Sequence, residues 1–195
     1  FPSQDFLSIG ASEIISTLLK KGLLDASVMV GDGCGTVILN DPEKVEGLAG
    51  RISGIIKTSP LKKVISFVES SNVLDPNTCE INQIKGVKKA IAKGYKKIAV
   101  TVSNAEEIKE IRKLEKEYSC DILIIGVHTS GISKKEASLF IENGDIITAC
   151  MSEYIKEIAN TKGVYSTKTK IPIYGPSEKG KNAIELRLKE IQNKK

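Results

Sequence analysis

Two apolar spacings alternate along the chain. "ASEIISTLLKKG" sets Ile14, Ile15, Leu18 and Leu19 on one stripe and ends on Lys20, Lys21 and Gly22. A basic last turn followed by glycine is a helix stop, because glycine takes the left-handed cap without strain. "DPEKVEGLAGRI" opens on Asp41 as cap and Pro42 at the first helical position, where a missing N–H costs nothing. Ser103 with Glu106, and Ser133 with Glu136, have the S-x-x-E spacing of a capping box. Elsewhere the apolar residues are consecutive. "KKIAVTV", "CDILIIGV", "DIITAC" and "KIPIY" read as short strands buried on both faces.

From about residue 80 the two patterns take turns. A helix near 80–93 precedes "KKIAVTV", a helix across 104–117 precedes "CDILIIGV", and a helix near 134–142 precedes "DIITAC". A helix near 151–160, the strand "KIPIY" and a last helix from about 178 complete the series. This alternation predicts an α/β fold: a mostly parallel β-sheet flanked by helices, three-layered and Rossmann-like. The first 80 residues are less regular. In "DASVMVGDGCGTVILN" two apolar runs are split by Asp32-Gly33, which predicts a β-hairpin. Asp75-Pro76 within "SSNVLDPNTCEIN" marks a connector. The chain is therefore divided into residues 1–75, an N-terminal subdomain or sheet extension with helix, hairpin and glycine-rich helix end, and residues 76–195, a βα-repeating parallel-sheet domain.

Composition narrows the class. With 41% hydrophobic and 27% charged residues in 195, the chain can bury a core and is not of disordered type. Its longest apolar runs are strand-length, so no membrane span is expected. The opening residues lack a signal peptide's pattern, which makes a cytoplasmic protein the expectation, and Phe1 in place of Met points to a fragment or trimmed product. A net charge of +5 is spread along the chain. The short basic patches at 95–97 and 133–135 lack the interleaved aromatics that stack on bases, so no nucleic acid is expected as partner. Cys34, Cys79, Cys120 and Cys150 stand alone, without CxxC spacing. Structural zinc and a disulfide framework are not expected, and no metal ligand is assigned. Arginine occurs only as Arg51, Arg112 and Arg187. One of these lies among glycines, in "GLAGRISG", and raises the question of what there needs a planar fork.

In a parallel α/β sheet ligands bind beyond the carboxyl ends of the strands. That rule gathers Ser103 and Asn104, then His128, Thr129, Ser130 and Gly131, then Cys150, then Gly175, Pro176 and Ser177. Each lies near an expected helix N-terminus, where N–H groups favour an anion. The expected cleft is polar, lined by small residues and mildly electropositive. His128, the single histidine, is the candidate proton-transfer group. Cys150 is the candidate nucleophile, with His128 as its base, since a thiolate is stabilised at a helix start; the alternative is a backbone-bonded histidine and a space-filling thiol. Across the cleft, Arg51 and Ser53 with the glycines around them offer a fork and a donor, or form only a helix end. Gly33 and Gly35 belong to a tight turn whose backbone is also able to approach a ligand.

"GDGCGTVI", "GLAGRISGIIKTSP", "NVLDPNTCEINQIKGVKKAIAKGYKKIAVTV", "GVHTSGIS" and "DIITACMSEYIKEIA", in this order and spacing, resemble the methanogenesis marker protein 8 family of methanogenic archaea. The likeness runs from about Asp5 to about Gly180. Members of that family are longer at the N-terminus and carry further cysteines there, and their glycine turn does not fix a cysteine at the position of Cys34. The resemblance implies an anaerobic cytoplasm and a role around methyl-coenzyme M reductase or its cofactors, without implying a reaction; whether the chain is an enzyme stays open, and no cofactor is named. Two functions follow as expectations. One is binding of an anionic small molecule or cofactor at the strand ends. The other is an assembly or maturation partner of methyl-coenzyme M reductase or a related enzyme, without catalysis of its own. A redox or iron–sulfur role would require two cysteines close in space.

Overall fold

The computed structural model describes residues 9–49 and 57–193. Its framework is one seven-stranded sheet in the order β2-β1-β3-β4-β5-β7-β6. The strands are β1 (Ala26–Gly31), β2 (Gly35–Leu39), β3 (Lys97–Val102), β4 (Asp121–Gly126), β5 (Ile146–Thr148), β6 (Tyr165–Ser166) and β7 (Ile173–Gly175). β1, β3, β4 and β5 are parallel neighbours. β2 returns antiparallel along β1, pairing Gly31 with Gly35. The expected α/β class and the N-terminal hairpin are thus present, and the hairpin joins the same sheet through the β1–β3 pairing.

Alternate side chains of each strand reach opposite faces, and the sheet uses both. Val28, Val100 and Ile124 pack with Val87 and Ala90 of α4 (Gln83–Ala92), Ile108 and Ile111 of α5 (Ala105–Glu117), Phe140 of α6 (Lys134–Asn143) and Ile155 of α7 (Glu153–Thr161). Met29, Ala99, Leu123 and Ile125 pack with Ile14, Ile15 and Leu18 of α1 (Ala11–Lys20), Val45 and Leu48 of α2 (Pro42–Ala49), Val64 and Val68 of α3 (Lys62–Val68), and Ala183 and Ile184 of α8 (Glu178–Gln192). Two buried layers, one on each face, make the continuous apolar strands intelligible.

Local signals set most boundaries. Gly22 sits at φ 66, and Leu23 N donates to Leu18 O, closing α1 as its sequence predicts. Asp41 Oδ1 accepts from Glu43 N at 2.8 Å at the start of α2. Ser133 and Glu136 form the full capping box of α6. The second expected box does not form: α5 begins one residue later, capped by Asn104, whose side chain accepts from Glu106 N. Asn competes with Ser for this role on equal terms, and Ser103 is left exposed.

One topological expectation is corrected. "KIPIY" does not continue the parallel series: β7 runs antiparallel to β5, pairing Thr148 with Ile173, and β6 is antiparallel to β7. Consequently Gly175, Pro176 and Ser177 end at the edge where β5 begins, far from the strand ends they were grouped with. Ser177 Oγ donates to Asp145 Oδ1 there at 2.7 Å.

That edge carries a buried ionic cluster which sequence inspection missed. Asp145, buried, accepts from Ile124 N at 2.8 Å, from Arg112 Nη2 at 2.6 Å and from Ser177 Oγ. Arg112 also reaches Asn143 O, Ile122 O and Glu115. Its fork ties α5 to β4 and to the entry of β5, while Ser177 ties in α8. Gly180 permits the approach: a Cβ there would fall 1.7 Å from Asp145 O.

Candidate functional site

At the opposite edge, a cavity of about 330 Å³ opens where the parallel strands end. Its walls come from Met29 on β1, Thr101 on β3, Val127 and His128 after β4, and Thr148 and Cys150 at the end of β5. Ile171 and Ile173 enter from the start of β7, because its reversed direction brings that end here. The first turn of α1, from Gly10 to Ser12, forms the remaining side.

The two candidate catalytic residues therefore share one cavity. Both also hold a left-handed backbone, His128 at φ 54 and Cys150 at φ 45. Such conformations cost a non-glycine residue about 1 kcal/mol or more and are held by surrounding contacts. Here the contacts are visible. Thr129 Oγ1 donates toward Thr148 O at 2.7 Å and Ala149 O at 3.0 Å, and Ser130 Oγ accepts from Met151 N at 3.4 Å. Thr129 is buried and Ser130 exposed, so this pair staples the two loops together and does not line the cavity. Gly131, at φ 75, turns the chain in open space.

His128 is half-buried, and its Nε2 is a buried atom with no hydrogen-bond partner among the described residues. An unsatisfied buried polar atom is uncommon and calls for an explanation. Burial also lowers the imidazole pKa from its ordinary value, so the ring is neutral at pH 7. Cys150 Sγ lies 3.7 Å from Thr148 Oγ1, which in turn is 3.1 Å from Gly126 O. α7 starts three residues beyond Cys150, and Ser152 Oγ, not the sulfur, takes up the Ile155 N–H.

The cavity differs from the expected cleft in character. Ile9, Met29, Val127, Ile171 and Ile173 make most of its wall apolar, and no described lining residue is Lys, Arg, Asp or Glu. The start of α1 faces this cavity through Gly10, Ala11 and Ser12, without a side-chain cap from Gly10 and with the acidic Glu13 in its first turn. Beneath Thr101 lies a polar network absent from the sequence reading. The buried Gln83 donates to Thr101 O at 2.5 Å and accepts from Thr36 Oγ1 at 2.9 Å, and Thr36 Oγ1 accepts from Asn82 N. A glutamine at a helix start carries no sequence signal of burial.

The remaining candidates lie elsewhere. Ser103 is exposed just past β3. Gly33 and Gly35 shape the hairpin turn: Gly33 N donates to Thr58 Oγ1, Leu61 N donates to Gly33 O, and Gly35 sits against the Cys79 carbonyl. Their close backbone approach is to other segments of the chain. Arg51 and Ser53 fall outside the described residues. Cys34 and Cys79 are both buried at this turn, their sulfurs each 3.5 Å from a glycine carbonyl. Burial first, then the neighbouring Cys79, push the Cys34 thiol up to about 12. Among the described residues no group of three or more His, Cys, Asp or Glu is placed to hold a metal ion, and no helix is long and apolar enough to cross a membrane.

Residues 2–189 match the family described as an uncharacterized protein conserved in archaea (DUF2099). The chain belongs to this family. It is also 43% identical over 193 residues to the uncharacterized protein MJ0054 of Methanocaldococcus jannaschii, a methanogen, covering 97% of this chain and 67% of that relative. Family membership carries an archaeal setting. The chemistry has to be argued from the cavity.

Proposed function

We propose that this chain binds an anionic small molecule or cofactor in the cavity at the ends of β1, β3, β4 and β5, with His128 and Cys150 as the groups that meet it. The observation behind the reading is convergence. The one histidine and a half-buried cysteine, 22 residues apart by their numbers, line one cavity at the edge where parallel sheets bind ligands. The start of α1 offers N–H groups to a negative group, and a neutral imidazole with an unpartnered nitrogen is ready to donate a hydrogen bond or take a proton. The methanogen relative, and the likeness to marker protein 8, support a setting in methanogenesis.

Native mass spectrometry of protein purified gently from a methanogen host tests this. A retained small-molecule mass is expected, lost in His128→Ala while the variant stays folded by circular dichroism. Retention undiminished in the folded variant would remove His128 from the site. A second reading, an assembly or maturation partner for methyl-coenzyme M reductase or a related enzyme, is favoured by apolar side chains beside the opening: Met151 is 74% and Ile171 55% exposed. A stoichiometric protein co-purifying in place of a small molecule would favour it.

A further inference from the structure

The parallel ladder between β4 and β5 ends at the Gly126–Ile147 pair. Beyond it the two chains are joined by threonine hydroxyls. Thr148 Oγ1 donates to Gly126 O at 3.1 Å, and Thr129 Oγ1 reaches both Thr148 O at 2.7 Å and Ala149 O at 3.0 Å. Thr129 follows His128 directly, and its two acceptors belong to the two residues just before Cys150. One fully buried hydroxyl therefore fastens the residue after the histidine to the peptide groups leading into the cysteine. On either side of this fastening the backbone is left-handed, at φ 54 for His128 and φ 45 for Cys150. Neither is glycine, so each conformation persists only where its surroundings hold it. The bond from Met151 N to Ser130 Oγ also joins the two loops, but it is 3.4 Å long and exposed.

We infer that Thr129 is the positioning residue of this cavity: its hydroxyl sets the left-handed turns at His128 and Cys150 that bring imidazole and thiol to one space. The inference rests on the binding proposed above and names what aligns its two contacting groups. Thr129 is not part of the cavity wall, so it acts through them. The Thr148 hydroxyl has one hydrogen, given to Gly126 O, so in its 3.7 Å contact with Cys150 the thiol is the donor. By holding the Thr148 and Ala149 carbonyls, Thr129 also fixes the peptides from which that thiol is aimed.

Two reporters on the full chain test this, and neither needs a ligand. The single histidine gives one ring signal in NMR, whose titration follows the burial of His128. No described lining residue is Lys, Arg, Asp or Glu, which leaves Cys150 as the other titratable group on the wall. The rate of Cys150 alkylation by iodoacetamide, read by peptide mass spectrometry against half-buried Cys120 at the opposite edge, follows the thiol. In Thr129→Val the His128 pKa is expected to rise toward the ordinary 6.5, and Cys150 to react at least about threefold faster with Cys120 unchanged. Thr129→Ser, which keeps the hydroxyl, is expected to restore both. Thr129→Ala carries the same expectation as Thr129→Val without setting a methyl group against two carbonyls, and replaces it if that variant does not fold. A folded variant lacking the hydroxyl in which either reporter keeps the parent's value would overturn the positioning role. So would failure of Thr129→Ser to restore them, or acceleration of Cys120 in step with Cys150, since either marks general loosening. Native mass spectrometry of the parent decides the binding separately: with no retained mass that reading falls, while the two reporters still decide Thr129.

Discussion

Replacing Asp145 by alanine should destabilise the fold by about 3 kcal/mol. The side chain of Asp145 is 4% exposed and that of Arg112 22%. Removing one member of a buried ion pair costs about 3–5 kcal/mol, because the other charge is left without compensation. The low end applies here. Arg112 would keep Glu115, Asn143 O and Ile122 O, but Ile124 N and Ser177 Oγ would both lose their acceptor. Asp145→Asn preserves shape and part of the accepting capacity, and should cost about 1.5–3 kcal/mol, the range for hydrogen bonds to charged groups. The chain has no tryptophan, so urea unfolding followed by far-ultraviolet circular dichroism is the assay, with the midpoint and slope both reported. Arg112→Met and the double variant complete a cycle in which the pair should couple by more than about 1 kcal/mol. The argument fails if Asp145→Ala lies within about 1 kcal/mol of the parent, or if the two substitutions are additive. Ligand retention by the folded variants should be unchanged, because the cluster and the cavity lie at opposite edges of the sheet.

Gly35→Ala should lower stability by at least about 2 kcal/mol, since Gly35 is at φ 66 and a Cβ would lie 2.2 Å from the Cys79 carbonyl oxygen; an unfolding midpoint equal to the parent's would refute that close approach. His128 gives a pH dependence of definite sign. Its folded pKa lies below the ordinary value of 6.5 through burial, so the unfolded chain binds the proton more readily. The contribution of His128 to stability is full above pH 6.5 and is lost as pH falls from there through the folded pKa. Comparing unfolding between pH 7.5 and pH 5 in the parent and in His128→Gln isolates this term. The parent should lose more stability than the variant, and equal losses would show that the ring is not buried in neutral form.

Several features were legible because they depend on neighbours in sequence. The glycine stop after Lys21, the Asp41-Pro42 entry and the Ser133–Glu136 box are set by N–H and C=O groups within one helical turn. Continuous apolar runs announced strands covered on both faces, and Asp32-Gly33 announced the hairpin, all without reference to distant residues. The question raised by scarce arginine was sound but settled on Arg51, which lies outside the described residues. Arg112, in an ordinary amphipathic helix, spreads its planar fork over Asp145, Glu115, Asn143 O and Ile122 O.

Tertiary structure decided the rest, because strand direction and burial of polar groups depend on partners far away in the chain. β7 has the same apolar signature whichever way it runs. Its antiparallel pairing with β5 sent Gly175–Ser177 to the ionic cluster and brought Ile171 and Ile173 to the cavity. Gln83 became a buried bridge only because β1 and β3 pair beneath α4. The sequence by itself determined an α/β chain with His128 and Cys150 at strand ends. Only the folding of α1 and β7 against those ends made the space around them a mostly apolar cavity with no charged side chain among its described lining residues.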